Sequence, residues 1–298
     1  MPLDHYVTLG HSGLRVSPMC LGTMTFGEEW NWGATVQDSE RMLDSYADRG
    51  GNFIDTANLY TLGHAEKIIG DHLAKDRGKR HRMVLATKFF GNMCPGDPNA
   101  GGAGRKNIMA ACDESLRRLK TDFIDLYWMH CWDVHTPIEE TLRAMEDLVR
   151  AGKVRHLGFS DTSAWKVAQA QMLARHHGWA PLIALQIEYS LLERTVEGEL
   201  VPMAREMGLG ITPWSPLKSG VLTGKYRREQ HGKTSAARGS WVTSALNEQS
   251  YRVVDTLVDV AKQAESTPAR VALAWLRRQP QVGSIIIGAR TPAQMEDN

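Results

Sequence analysis

The chain of 298 residues is 42% hydrophobic and 23% charged, an ordinary globular balance that excludes a largely disordered protein and allows a sizeable core. That length also lies within the range of one α/β barrel, so we expect a single domain over residues 1–298. A formal net charge of +1 supplies no overall attraction to nucleic acid or to an anionic membrane, and an anionic ligand has to be held by local groups.

From the N-terminus, no apolar run follows a basic stretch and no later segment approaches the length of a membrane span, so a cytoplasmic protein is expected. Cys20, Cys94, Cys112 and Cys131 form no CxxC pair and show no regular spacing, which favours reduced thiols. Residues 6 to 9 and 15 to 18 flank a Gly-containing turn and read as a short β-hairpin ahead of the main fold. Eight short apolar runs follow: Met19 to Gly22, Asn52 to Asp55, Met83 to Lys88, Phe123 to His130, Val154 to Ser160, Leu182 to Gln186, Gly210 to Trp214 and Gly283 to Gly288. Between them lie amphipathic stretches of helical spacing, among them 36 to 49, 106 to 119, 138 to 150, 164 to 176 and 249 to 265.

Strand alternating with helix means a parallel sheet covered by helices. Periodicity alone does not separate an open doubly wound sheet from a closed barrel. The dinucleotide fingerprint G-x-G-x-x-G is absent after the first run, where Leu21 to Gly27 reads LGTMTFG, and this favours a (β/α)8 TIM barrel. Residues 216 to about 247, rich in Gly, Ser, Lys and Arg, read as a long functional loop.

In such a barrel the C-terminal strand ends converge on the active-site mouth. Those ends carry Asp55, Lys88, His130, Ser160 with Asp161, Gln186 and Trp214, and Tyr60 lies five residues beyond Asp55. Each alone has a plain structural reading: a loop cap, a solvated strand end, a packing histidine. Together, at corresponding ends of consecutive strands, they point to a catalytic mouth. The span from His130 to His135 offers several metal-ligand types but matches no common zinc spacing. Gly220 to Tyr226 is one residue short of a P-loop between its glycines and has Tyr226 where Ser or Thr would stand, so neither a metal site nor triphosphate hydrolysis is expected.

The blocks Asn52 to Tyr60 (NFIDTANLY), Lys88 to Phe90 (KFF) and Asp122 to His130 (DFIDLYWMH) resemble the catalytic segments of aldo-keto reductases. Leu157 to Asp161, Gln186 to Leu192, Trp214 to Tyr226 and Ile287 to Asn298 resemble the cofactor-binding segments of that family. The resemblance runs in order from about residue 6 to the end and extends to the potassium-channel beta subunits that the family includes. It implies an NADPH-dependent reductase of aldehydes or ketones, with Tyr60 as proton donor, Lys88 favouring its phenolate, Asp55 paired to Lys88, and His130 orienting the carbonyl. It further implies that Ser160, Asp161 and Gln186 hold the nicotinamide carboxamide and that Trp214 stacks on its ring. Relatives commonly carry Asn where Asp161 stands, and an ionised Asp accepts hydrogen bonds but donates none. Ser215, Leu217, Ser219, Gly220 and Lys225 belong by resemblance to the pyrophosphate loop; Gly288, Arg290, Gln294 and Asn298 belong to the adenosine end, with Arg290 on the 2′-phosphate. Met24, Trp30, Trp32, Phe89 and Trp132 are candidate substrate walls suited to an apolar or aromatic carbonyl compound. Relatives usually continue past the block ending at Asn298, and with ten residues after Gly288 the last helix is expected to be cut short. The second reading the resemblance carries is a cofactor-binding auxiliary subunit with little turnover.

Overall fold

The computed structural model describes residues 2–226, 228 and 239–298. A two-stranded antiparallel hairpin, β1 (Val7–Thr8) and β2 (Arg15–Val16), precedes eight parallel strands: β3 (Met19–Gly22), β4 (Phe53–Asp55), β5 (Val84–Phe89), β6 (Ile124–Met129), β7 (Val154–Ser160), β8 (Leu182–Glu188), β9 (Gly210–Trp214) and β10 (Ile285–Gly288). From β4 to β9 each strand pairs with its predecessor, and β10 pairs with β3. The ring closes between β9 and the approach to β10, where the Ile211 amide donates to Gln281 O at 2.7 Å and Gly283 N donates to Ile211 O at 3.0 Å. The result is a (β/α)8 barrel.

The helices are α1 (Val36–Asp48), α2 (His64–Leu73), α3 (Arg77–Arg82), α4 (Arg105–Leu119), α5 (Ile138–Arg150), α6 (Ala164–His177), α7 (Leu200–Met207), α8 (Gly239–Ala245), α9 (Glu248–Gln263), α10 (Pro268–Arg277) and α11 (Pro292–Asp297). Two stretches hold more helix than the amphipathic spacing indicates. Between β4 and β5 stand α2 and α3, and α10 follows α9 because Thr267 caps a fresh start, its hydroxyl accepting from Arg270 N, with Pro268 in the first turn. The segment expected to be one long loop contains a 3₁₀ turn, Lys218–Thr223, and α8; residues 227 and 229–238 of it lie outside the described residues. No helix among the described residues is long and apolar enough to cross a membrane.

Successive strand residues face opposite sides, and here the two sides are both buried. Cys20, Phe53, Val84, Ala86, Leu126, Trp128, Ala184 and Ile286 form the cluster inside the barrel. Their neighbours Leu21, Ile54, Leu85, Tyr127, Met129, Leu185 and Ile287 pack outward against the helices. Two residues past the inner set, the same parity brings Asp55 beyond Phe53, Lys88 beyond Ala86, His130 beyond Trp128 and Gln186 beyond Ala184 to the inner rim. Gly158 also faces inward, because a Cβ there would stand 2.3 Å from Trp128 Cζ3.

The hairpin stops the opposite end of the barrel. Leu9 and Val16 are fully buried in the inner cluster, and His11 N donates to Gly208 O at 2.8 Å. Gly10 has φ +59°, and a Cβ on it would sit 2.2 Å from Ile183 O, so the hairpin's close approach to β8 and β9 requires glycine.

Candidate active site

Asp55 ends β4, Lys88 lies near the end of β5, and His130 follows β6. Tyr60 reaches the same place from a 3₁₀ turn, Tyr60–Gly63, in which Thr61 (φ 45°) and Leu62 (φ 57°) are both left-handed. Strain at two consecutive non-glycine residues persists only where the surroundings enforce it. Here Thr61 Oγ1 donates to Phe26 O at 2.8 Å and accepts from Ala65 N at 3.0 Å, which pins the turn between the loop after β3 and the start of α2.

Lys88 is fully buried, and its ammonium finds three acceptors. Nζ donates to Asp55 Oδ2 at 2.5 Å, to Thr56 O at 2.8 Å and to Tyr60 Oη at 3.2 Å. An ammonium has three protons, so it is saturated, and the phenol oxygen of Tyr60 accepts one of them while its own hydrogen stays available. Burial works against the Lys88 charge, but Asp55 and Tyr60 outweigh it and hold the pKa above the ordinary lysine value. Burial also raises the Tyr60 phenol, and the opposing pull of Lys88 does not reverse that. Lys88 thus pulls toward the phenolate, but burial outweighs it and holds the phenol above its ordinary value, so Tyr60 keeps its proton at neutral pH.

Tyr60 and His130 meet edge to face with ring centroids 5.9 Å apart. Burial, assisted by the Lys88 charge, pushes the His130 imidazole down to about 3, so it is neutral across the physiological range. Its Nδ1 is buried and unpartnered, which leaves Nε2 as the nitrogen a carbonyl oxygen can reach.

Beside this group lie the residues expected to hold a cofactor. Ser160 is buried at the end of β7, and Asp161 follows with φ 43°, its backbone N–H donating to Gln186 O at 3.1 Å. The Asp161 carboxylate stands at the exposed rim and accepts from Trp214 Nε1 at 3.0 Å. Loss of hydration and the nearby Glu188 charge push Asp161 up to about 6 despite the indole hydrogen bond. Gln186 is buried, and its Nε2 donates to Asp55 Oδ1 at 2.9 Å, a contact no local pattern signals.

The following loop turns repeatedly through the left-handed region, at Ser215 (φ 53°), Lys218 (φ 45°), Ser219 (φ 53°) and Gly220 (φ 90°). Alternation of such residues with ordinary ones such as Leu217 (φ −107°) is a backbone geometry that can present N–H groups to an anion, with Lys218 N and Gly220 N already donated to Ser215 O and Leu217 O. Lys225 folds back so that its Nζ lies 3.3 Å from the Cβ position of Gly220. Lys218, which no motif marks, donates Nζ to Glu188 Oε1 at 2.7 Å and also meets Glu193; it ties the loop to the end of β8.

Gly288 ends β10, and Arg290 is exposed just before α11, its backbone N donating to Gln294 Oε1 at 3.0 Å. Asn298 lies one turn beyond Gln294 and borders a groove with Leu3, Pro18 and Met19. Of the expected substrate walls, Trp30 stands edge to face with Tyr60 at 6.4 Å and tilts against Trp32 at 5.6 Å. Met24 packs into the same cluster as Trp30, whereas Trp132 packs on the α5 and α6 side with Lys166 Nζ 4.8 Å from its ring centroid. Phe89 is withdrawn from the set: it is fully buried against Tyr127, 5.0 Å away, because the residue after inward-facing Lys88 must face the helices. Among the described residues no group of three or more His, Cys, Asp or Glu is placed to hold a metal ion.

A (β/α)8 barrel whose mouth joins a buried lysine–carboxylate pair to a tyrosine, beside a neutral imidazole, defines an enzyme-type site able to deliver a proton to a polarised oxygen. The Aldo/keto reductase family model matches residues 18–298, and the chain belongs to that family of oxidoreductases, whose members generally use NAD(P)H and act on small carbonyl compounds. The chain is 39% identical over 98% of its length to an uncharacterized oxidoreductase, YrpG, of Bacillus subtilis, covering 89% of that protein. It is 36% identical over 99% of its length to an aryl-alcohol dehydrogenase of Pestalotiopsis microspora, covering 76% of it. A probable voltage-gated potassium channel subunit beta of Arabidopsis thaliana is 36% identical over 98% of this chain and 89% of its own length.

Proposed function

We infer that this chain reduces aldehydes or ketones to alcohols with NADPH, and the observation that carries the reading is the saturated Lys88 ammonium donating to Tyr60 Oη at 3.2 Å. Tyr60 donates its hydroxyl proton to the carbonyl oxygen of the substrate. Lys88 stabilises the phenolate left behind, Asp55 holds Lys88 in place, and neutral His130 hydrogen-bonds the same oxygen through Nε2 and orients it. A positioned acid of this kind contributes about 10²- to 10⁴-fold to rate. When bound, the nicotinamide supplies the hydride.

The residues present fit a phosphorylated dinucleotide. Ser160, Asp161 and Gln186 suit the carboxamide, and Trp214 suits the face of the ring. The left-handed turns at Ser215, Lys218, Ser219 and Gly220, with Lys225 folded over them, suit the pyrophosphate. Arg290, exposed beside Gln294, suits the 2′-phosphate of NADPH, and Gln294 and Asn298 the adenosine. Trp30, edge to face with Tyr60, and Trp32, tilted against Trp30, support an aromatic carbonyl substrate, as does similarity to an aryl-alcohol dehydrogenase and to a norsolorinic acid reductase of Emericella nidulans.

The test is turnover of NADPH against a panel of aromatic and aliphatic aldehydes, with Tyr60→Phe as control. Turnover that collapses in the variant supports the reading, and unchanged turnover in Tyr60→Phe sinks the proton-donor role. Similarity to potassium-channel beta subunits supports a second reading, a cofactor-binding subunit with little turnover; tight NADPH binding without turnover of any carbonyl would favour it.

A further inference from the structure

Asp55 has two carboxylate oxygens, and each has its own donor. Oδ2 accepts from Lys88 at 2.5 Å, and Oδ1 accepts from Gln186 Nε2 at 2.9 Å across 131 residues of sequence. A carboxylate paired to an ammonium accepts and does not donate, so the end of the Gln186 amide turned toward it has to be the NH2. The amide is planar, which turns Oε1 away from Asp55. Gln186 is 3% exposed and Asp55 2%, so neither side chain has room to exchange its ends without leaving a buried polar group unpaired, at a cost of about 1–3 kcal/mol.

We propose that Gln186 is a positioning residue that couples the cofactor's carboxamide to the Asp55–Lys88–Tyr60 chain, with Asp55 setting the amide so that Gln186 Oε1 is a fixed acceptor for a carboxamide N–H. The proposal rests on the nicotinamide reading above. It makes Asp55 a determinant of cofactor recognition although the donors on its carboxylate are Lys88 and Gln186. In the other direction, a carboxamide N–H on Oε1 polarises the Gln186 amide and strengthens its hydrogen bond to Asp55. A correctly seated cofactor thereby firms the anchor of the ammonium that supports Tyr60.

The experiment measures binding by the full chain of NADPH and of its 3-acetylpyridine analogue, in which a methyl group replaces the carboxamide NH2. The analogue lacks the N–H that Gln186 Oε1 would accept, so the unsubstituted protein is expected to prefer NADPH by about tenfold or more. Gln186→Met is expected to lower that preference several-fold. Asp55→Asn is expected to lower it as well, because an amide at 55 offers both a donor and an acceptor and releases Gln186 to turn over. An unchanged preference in folded Asp55→Asn would overturn the coupling while leaving the cofactor reading intact, whereas failure of the unsubstituted protein to bind either dinucleotide would overturn both. Should Asp55→Asn not fold, Gln186→Met at saturating NADPH decides: kcat about tenfold lower with KM for the aldehyde unchanged supports coupling, and an unchanged kcat overturns it.

Discussion

Lys88 directs one of its three protons at Tyr60 Oη, 3.2 Å away, after satisfying Asp55 and the Thr56 carbonyl. The phenol oxygen is thus an acceptor inside the protein and a donor only toward the mouth. Tyr60→Phe removes that donor without disturbing the Lys88–Asp55 pair, so kcat is expected to fall by about 10²-fold or more while NADPH affinity stays within a few-fold. Lys88→Met is a different lesion. It leaves the buried Asp55 carboxylate with Gln186 as its remaining donor, and both activity and stability should drop, the latter by about 3–5 kcal/mol, as read in denaturant unfolding.

The Asp161 carboxyl, pushed up to about 6 by lost hydration and by Glu188, gives a pH-dependent signature. Its folded value lies above its ordinary one, so the stabilisation it lends is complete below the ordinary carboxyl range and is lost as pH rises through about 6. Asp161→Asn should therefore raise the melting temperature at pH 7 relative to the unsubstituted protein and leave the two alike near pH 4. Protonated Asp161 can also donate to the carboxamide oxygen, so NADPH affinity should increase as pH falls through this range, and that increase should vanish in Asp161→Asn.

Arg290 supplies an exposed guanidinium before α11. Arg290→Ala should weaken NADPH binding by about 10- to 100-fold through loss of charge-assisted hydrogen bonds, with little effect on NADH. Equal losses for both cofactors would count against the 2′-phosphate assignment.

Trp30 stands between Tyr60 and Trp32. Trp30→Ala should lower kcat/KM for benzaldehyde-type substrates about tenfold more than for aliphatic aldehydes of similar size, since ring stacking of this kind is worth about 0.5–1.5 kcal/mol. A uniform decrease across the panel would mean that Trp30 packs the loop and does not read the substrate.

Gly158→Ala tests the barrel interior. The added Cβ would stand 2.3 Å from Trp128 Cζ3 and 3.0 Å from Ala184 O, and since Trp128 is fully enclosed it has nowhere to go. A destabilisation of about 1–3 kcal/mol is expected in thermal or denaturant melts.

The strands, most of the helices and the polar rim were legible because they are written in local periods. Phe53 with Asp55, Ala86 with Lys88, Trp128 with His130 and Ala184 with Gln186 share a face through the two-residue strand repeat, and the apolar runs mark where each strand ends. The same repeat turns Phe89, the residue after Lys88, away from the mouth. Helices α2 and α3 were less visible because they are short and crowded between turns.

What the linear pattern did not contain is who meets whom across the ring. Gln186 reaches Asp55 over 131 residues, Lys218 bridges to Glu188 and Glu193, and the hairpin plugs the barrel through Gly10. Residue order and spacing decided the strand count, the inward faces and which polar side chains gather at the rim, since those follow from backbone geometry over a few residues. Closure of the barrel decided the orientation of the Gln186 amide, the upward shift of the Tyr60 phenol and the neutrality of His130, because burial and distant charges set them and both exist only once the strands have come together.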